Sequence, residues 1–209
     1  MRRCAPFVSL VAMVFSWAGS TLAHDAPPPP ISVLWFSGTL GPGCPVEDAQ
    51  VAHEVRRIYK GMGIEVNWTN VPDGEAEYHG EVIVIAVAAN PLPRPSVMGS
   101  ASQDSRNAWV YCAAIKEALG LRGPGRREAP LLSRALGRVA AHEIAHVLAP
   151  GFGHSNDGLM RARWREVMLR EGDLLADAAT RRALRAHLAV PDATDGATIP
   201  QADLMKAER

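Results

Sequence analysis

The sequence predicts an α+β domain, and three observations carry the prediction: short β-branched apolar runs bounded by Gly and Pro, a long run from Ala129 to Leu148 with helical periodicity, and a second amphipathic run near the C-terminus. In chain order, Ile31 to Phe36 reads as a strand. Val46 to Lys60 reads as a helix with Val51, Val55, Ile58 and Tyr59 near one face, stopped by Gly61-Met62-Gly63. Ile64 to Trp68 is a second strand. Glu81 to Ala89 is apolar and β-branched, as a central buried strand would be, and Ala108 to Ile115 is read as another. The order β-α-β-β-β-α results. Leu174 to Leu188 then closes the domain as a helix, with Leu174, Leu175, Ala178, Leu184 and Leu188 supplying its core face.

The Ala129 to Leu148 helix carries the chemistry. Ala129-Pro130 suits a first turn, and Leu131, Leu132, Ala135, Leu136, Val139, Ala140, Ile144, Val147 and Leu148 cover most of its circumference. Arg134 and Arg138, four residues apart, are expected to mark a narrow solvent stripe, with the rest of the helix under a sheet. Ala149-Pro150-Gly151 stops it, because the residue before proline disfavours the helical region. Near its end stands His142-Glu143-Ile144-Ala145-His146. Imidazoles four residues apart stand one above the other, about 6 Å along the axis, so both can reach one metal ion at roughly 2.0–2.1 Å. Glu143 is then aimed at a water activated by that metal, and a carboxylate there can take the water's proton as it attacks a carbonyl carbon. The expected chemistry is hydrolysis of an amide bond, with Zn2+ as cofactor.

The stretch HEIAHVLAPGFGHSNDGLM resembles the zinc-binding segment of the metzincin metallopeptidases, and among them the matrixins, whose pattern is HExxHxxGxxH, then usually Ser, then a methionine turn. The resemblance implies His142, His146 and His154 as zinc ligands, Glu143 as general base, and Met160 as the turn methionine beneath the metal. Ser155 matches the serine after the third histidine. The chain departs from the pattern in one place: His154 lies eight residues after His146 where the family has six, and Ala149 stands where its glycine would be. A rival third ligand is Glu166, whose nineteen intervening positions after His146 resemble the spacing in gluzincins, and Asp157 is a further candidate. The context of Ser155 and Met160 favours His154. No tyrosine follows Met160, so Arg161 is the residue named to assist zinc at the oxyanion. The resemblance also implies a metzincin-like fold: a twisted mixed sheet packed on the active-site helix, an antiparallel edge strand that aligns substrate, and a small C-terminal helical subdomain. Asn107 to Ala113 is the candidate for that edge, where a peptide would add a strand.

Around this domain, 31–190, the reading adds a signal peptide over 1–23, a proline-rich linker over 24–30 and a polar tail over 191–209. Arg2-Arg3, the apolar stretch from Ala5 to Ala18 and the small residues up to Ala23 supply the signal; the stretch is short for the roughly 20 residues a spanning helix needs. The mature chain of about 185 residues is one domain by size and is expected to be a monomer, secreted or periplasmic, with no stable membrane insertion after signal cleavage. Cys4 leaves with the signal, and Cys44 and Cys112 remain as an even pair, expected as a disulfide that contributes about 3–4 kcal/mol by loop closure. Gly41-Pro42-Gly43-Cys44-Pro45 also resembles, loosely, the inhibitory cysteine segment of matrixin propeptides.

Twenty-two basic and 22 acidic side chains cancel, which argues against a nucleic-acid partner. Arg122, Arg126 and Arg127 fall in a loop, and Arg181, Arg182 and Arg185 on a solvated helix face. His53 and His79 lack paired ligand spacing and are read as surface or hydrogen-bonded histidines. The expected function is zinc-dependent endopeptidase action on a peptide or protein substrate. The alternatives are a gluzincin-type peptidase using Glu166 and a non-catalytic zinc or peptide-binding protein on the same scaffold.

Overall fold

The structure is a computed structural model that describes residues 27–71, 80–89, 96–123 and 126–189. The signal peptide, the polar tail and His79 lie outside the described residues, and of the linker only 27–30 is described, without regular structure. Among the described residues, five strands and five α-helices follow in the order β1 (Ile31–Phe36), α1 (Asp48–Lys60), β2 (Val66–Asn70), β3 (Val82–Val87), β4 (Gly99–Ser102), β5 (Asn107–Tyr111), α2 (Cys112–Ala118), α3 (Ala129–Leu148), α4 (Glu166–Arg170) and α5 (Ala178–Leu188). The sheet runs β2-β1-β3-β5-β4, parallel throughout except for the β4 edge, which is antiparallel to β5.

Strand periodicity explains how this sheet packs. Val33 pairs with Val82 and Trp35 with Val84, while Val84 pairs with Ala108 and Ala86 with Val110, so these side chains share one face. All of them are buried in a single core with Val55 and Ile58 of α1 and Leu136, Val139 and Ala140 of α3. A fully buried Leu or Ile is worth about 1.5–3 kcal/mol, so α3 owes its place to this packing more than to helix propensity. Its last turns run beneath β5 and β4, and the site lies there.

Four sequence expectations need correction. Arg138 does not face solvent: it is 2% exposed, and its guanidinium donates to Glu54 Oε1 at 2.7 Å and to the carbonyls of Met168, Glu171 and Gly172. Periodicity counts arginine as surface, but five donors in a planar fork can be buried when acceptors surround them. The strand read over Ala108 to Ile115 ends at Tyr111, and α2 begins at Cys112. An unbroken apolar run cannot tell strand from helix, and Ala113, Ala114, Lys116 and Glu117 favour helix. The candidate edge Asn107 to Ala113 is therefore interior, flanked by β3 and β4, and the edge is β4 itself. Its sequence Gly-Ser-Ala-Ser has neither β-branched residues nor apolar alternation, so nothing in the pattern announced a strand. Finally, α5 starts at Ala178 rather than Leu174, because Asp177 caps it by accepting from the Thr180 N–H at 2.7 Å. Leu174 is still buried, whereas Leu175 is 60% exposed.

Cys44 and Cys112 form the expected disulfide, joining the loop after β1 to the first residue of α2 with their Cα atoms 6.4 Å apart. Bonded and buried, Cys44 is not a thiolate free to meet a metal, so the resemblance to an inhibitory cysteine segment does not carry over. Among the described residues no helix is long and apolar enough to cross a membrane.

Candidate metal centre

The last two turns of α3 present His142 and His146 on one face, and the chain doubles back after Pro150 to bring His154 against them. The Nε2 atoms of His142 and His146 lie 3.1 Å apart, and those of His146 and His154 3.2 Å apart. A tetrahedral ion with bonds of 2.0–2.1 Å sets its donors about 3.3 Å from one another, so the three imidazoles stand close to the spacing one zinc ion requires. The two residues by which the His146–His154 spacing exceeds the family pattern are absorbed in the turn through Gly151 and Gly153, and the third histidine still arrives.

The rings of His142 and His146 are oriented by the surrounding backbone. His142 Nδ1 donates to the Leu159 carbonyl at 2.7 Å, which puts the proton on Nδ1 and leaves the Nε2 lone pair facing the other two histidines. Leu159 is itself held, its N–H donating to the Leu175 carbonyl at 3.0 Å. Gly158, just before it, has φ +67°, and a Cβ there would come within 2.5 Å of the Leu175 oxygen, so the turn accepts no side chain at this point. Met160 is fully buried and its carbonyl accepts from Ser155 N–H at 2.7 Å, closing the loop that carries His154. Burial lowers His142 to about 4, with His146 and His154 adding to the shift and the Leu159 bond opposing it. His146 is lowered by burial and by His154, against a backbone hydrogen bond at Phe152. Neutral imidazoles at ordinary pH are what a metal needs.

Glu143 lies between α3 and β4, 7% exposed, and makes no hydrogen bond through its carboxylate to any described residue. Burial raises it to about 8; a cation held by the neighbouring imidazoles acts in the opposite sense. Beyond it runs β4, an edge strand of the sheet among the described residues. Tyr111 N–H donates to the Met98 carbonyl, so antiparallel alternation turns the N–H and C=O of Gly99 and Ala101 away from β5, toward that edge.

Other candidates fall elsewhere. Glu166 opens α4 and pairs with Arg170 at 2.5 Å, and Asp157 is exposed; neither joins the histidine group. Arg161 faces Asp157 at 4.0 Å and lines a cavity of about 280 Å³ with Arg165, Val167 and Leu175, onto which none of the three histidines opens. His53 is exposed on α1. Sequence reasoning missed the Leu159 carbonyl, which as backbone leaves no compositional trace. It also missed Trp164, whose ring stands edge-on to His142 at 5.6 Å with its N–H donated to the Arg161 carbonyl at 2.7 Å. Tyr111 was missed too: its hydroxyl is 2.6 Å from Ser100 Oγ, and burial raises its pKa, with the Glu143 charge adding to the shift.

No family model matches the chain, and no curated protein matches it by sequence. Among solved structures it is similar to a zinc-dependent peptidase from Methanocorpusculum labreanum, with TM-score 0.50 and 14% identity, covering 74% of this chain and 99% of that one. Archaemetzincin from Methanopyrus kandleri gives TM-score 0.49 and 14% identity over 80% of this chain and 99% of that one. At such identity the likeness is one of architecture: this chain shares its fold with the Methanocorpusculum zinc-dependent peptidase.

Proposed function

We propose that this protein is an exported zinc-dependent endopeptidase of metzincin-like, matrixin-related design, with His142, His146 and His154 as ligands and Glu143 as general base. The observation that carries the reading is the convergence of three imidazoles, with His146 Nε2 3.1 and 3.2 Å from the Nε2 atoms of His142 and His154, beside a buried glutamate with no hydrogen-bond partner among the described residues. A structural zinc site would be closed by a fourth protein ligand; three histidines leave a position for the reacting groups. Bound zinc supplies a Lewis acid there and lowers the pKa of a water to about 7. Glu143 accepts the water's proton as it attacks, then returns it to the leaving amine. The outward N–H and C=O groups of Gly99 and Ala101 align the substrate as an added strand, which gives affinity through backbone groups and suits unfolded protein rather than one fixed sequence.

Export is part of the proposal. The charged and apolar N-terminal run supports it, as does the Cys44–Cys112 disulfide, a bond rare in reducing compartments. The intact mass of protein recovered from its native compartment should correspond to a chain beginning at His24; retention of Met1 would remove this part.

The central test is Glu143→Ala in zinc-loaded protein. Zinc per chain by plasma mass spectrometry should stay at the wild-type level while cleavage of heat-denatured protein falls by roughly 10²–10⁴-fold, the usual contribution of a positioned acid–base group. Loss of zinc together with activity would make Glu143 structural. Full zinc occupancy of the wild type without cleavage of any unfolded substrate would leave a zinc-binding protein on a peptidase scaffold.

A further inference from the structure

We infer that Gly99 is the positioning residue for Glu143: the bare backbone of β4 presses on the glutamate and sets the direction of its carboxylate. The inference rests on the peptidase reading and adds to it a residue outside the metal motif. A Cβ built on Gly99 would lie 2.6 Å from Glu143 Oε1, 2.8 Å from its Cγ and 2.9 Å from the Trp109 carbonyl oxygen. Real Cβ atoms do not approach so closely. The Cγ distance matters most, because rotating the carboxylate alone does not relieve it and the whole side chain must turn.

No hydrogen bond to a described residue holds that side chain in place. Its orientation is set by packing, between α3 below and the β4 backbone above. The strand is in turn braced. Ser100 Oγ meets the Tyr111 hydroxyl at 2.6 Å on the opposite face of the sheet, and Tyr111 N–H holds the Met98 carbonyl at 2.8 Å, so β4 is fixed on both sides of Gly99. Gly99 is also one of the two β4 residues whose N–H and C=O face away from β5. One residue thus touches the base and lies in the strand proposed to receive substrate, which ties the height of the substrate backbone to the position of the base. Glycine here is a steric requirement, since Gly99 has no left-handed backbone angle to explain it.

The experiment compares zinc-loaded wild type, Gly99→Ala, Glu143→Ala and the double variant, with cleavage of a quenched-fluorescent peptide, zinc per chain and thermal midpoint read in parallel. Alanine keeps the N–H and C=O of residue 99, so KM should change less than threefold, while a misplacement of about 1 Å costs kcat roughly 10²-fold. Truncating Glu143 to alanine removes both the Cγ and the carboxylate that a Cβ on residue 99 would meet. Gly99→Ala should therefore lower the thermal midpoint less in the Glu143→Ala background than in wild type. The assignment fails if Gly99→Ala leaves kcat within threefold of wild type, if the loss lies in KM, or if the midpoint falls equally in the two backgrounds. Should Gly99→Ala not fold, folding of the double variant identifies the Glu143 conflict as the cause and supports the assignment; failure of both identifies the Trp109 carbonyl and overturns it. If wild type cleaves nothing, the peptidase reading falls, and a crystal structure of zinc-loaded Gly99→Ala still decides the inference. Displacement of the Glu143 carboxylate by about 1 Å or more supports it, and an unmoved carboxylate under a shifted strand overturns it.

Discussion

Two glutamates are buried in this molecule to nearly the same depth, and they have opposite electrostatic characters. Glu54, 3% exposed on α1, meets Arg138 at 2.7 Å and Arg57 at 2.9 Å. Burial pushes its pKa up, but the hydrogen bonds from Arg57 and Arg138 outweigh it, and the carboxyl is held below the ordinary 4.5. Glu143, 7% exposed on α3, has no such partner among the described residues, and burial alone raises it to about 8. The first is a charge neutralised and pinned, with Arg138 also gripping the carbonyls of Met168, Glu171 and Gly172 so that the chain beyond the metal site is clamped to α3. The second has no hydrogen-bond partner among the described residues, and the proposed function makes it the group that takes and releases a proton. Depth of burial does not distinguish a structural acid from a reactive one; the completeness of its hydrogen bonding does.

The comparison can be broken most forcefully by neutralising each acid in turn. Glu54→Gln leaves the Arg138 guanidinium buried against a neutral amide and should cost about 3–5 kcal/mol in urea denaturation, the penalty for an uncompensated buried charge. Glu143→Gln removes a buried carboxylate that has no hydrogen-bond partner among the described residues and should leave stability unchanged or raise it, while activity falls as it does in the alanine variant. Equal stability losses in the two variants would erase the distinction. Severing the tie between Cys44 and Cys112 with paired serines is expected to cost about 3–4 kcal/mol through loop entropy, without altering zinc per chain, because neither cysteine belongs to the histidine group.

A smaller effect sharpens the comparison through pH. Because the folded pKa of Glu54 lies below its unfolded value near 4.5, its stabilisation is complete above that value and is lost as pH falls through the folded pKa. Between pH 6 and more acidic conditions, wild type should therefore lose stability faster than Glu54→Gln, measured as urea midpoints on metal-free protein. Parallel acid limbs in the two proteins would remove Glu54 from the account.

The motif half of this molecule was legible because its signal is local. Two histidines and a glutamate within five helical residues define a face whatever the rest of the chain does, and Ala149-Pro150-Gly151 marked where that helix stops. The cysteine pair was legible by parity. The strand β4 was not, since four small residues carry no pattern and pair only because β5 lies beside them. Nor was Arg138: whether an arginine on a helix meets water or four acceptors depends on α1 and on a segment some thirty residues later.

By itself, then, the sequence determined the first three strands that were read and the helix after the first of them, the helix that carries His142, Glu143 and His146, and the pairing of its remaining cysteines, because each depends on residues near in sequence or on simple counting. Only the tertiary structure decided that His154 reaches the other two imidazoles across an altered spacing, that β4 rather than β5 forms the edge above Glu143, and that Arg138 is a clamp. These are questions of which distant backbone groups come within hydrogen-bond or van der Waals reach, and the packing of the sheet on α3 settles them.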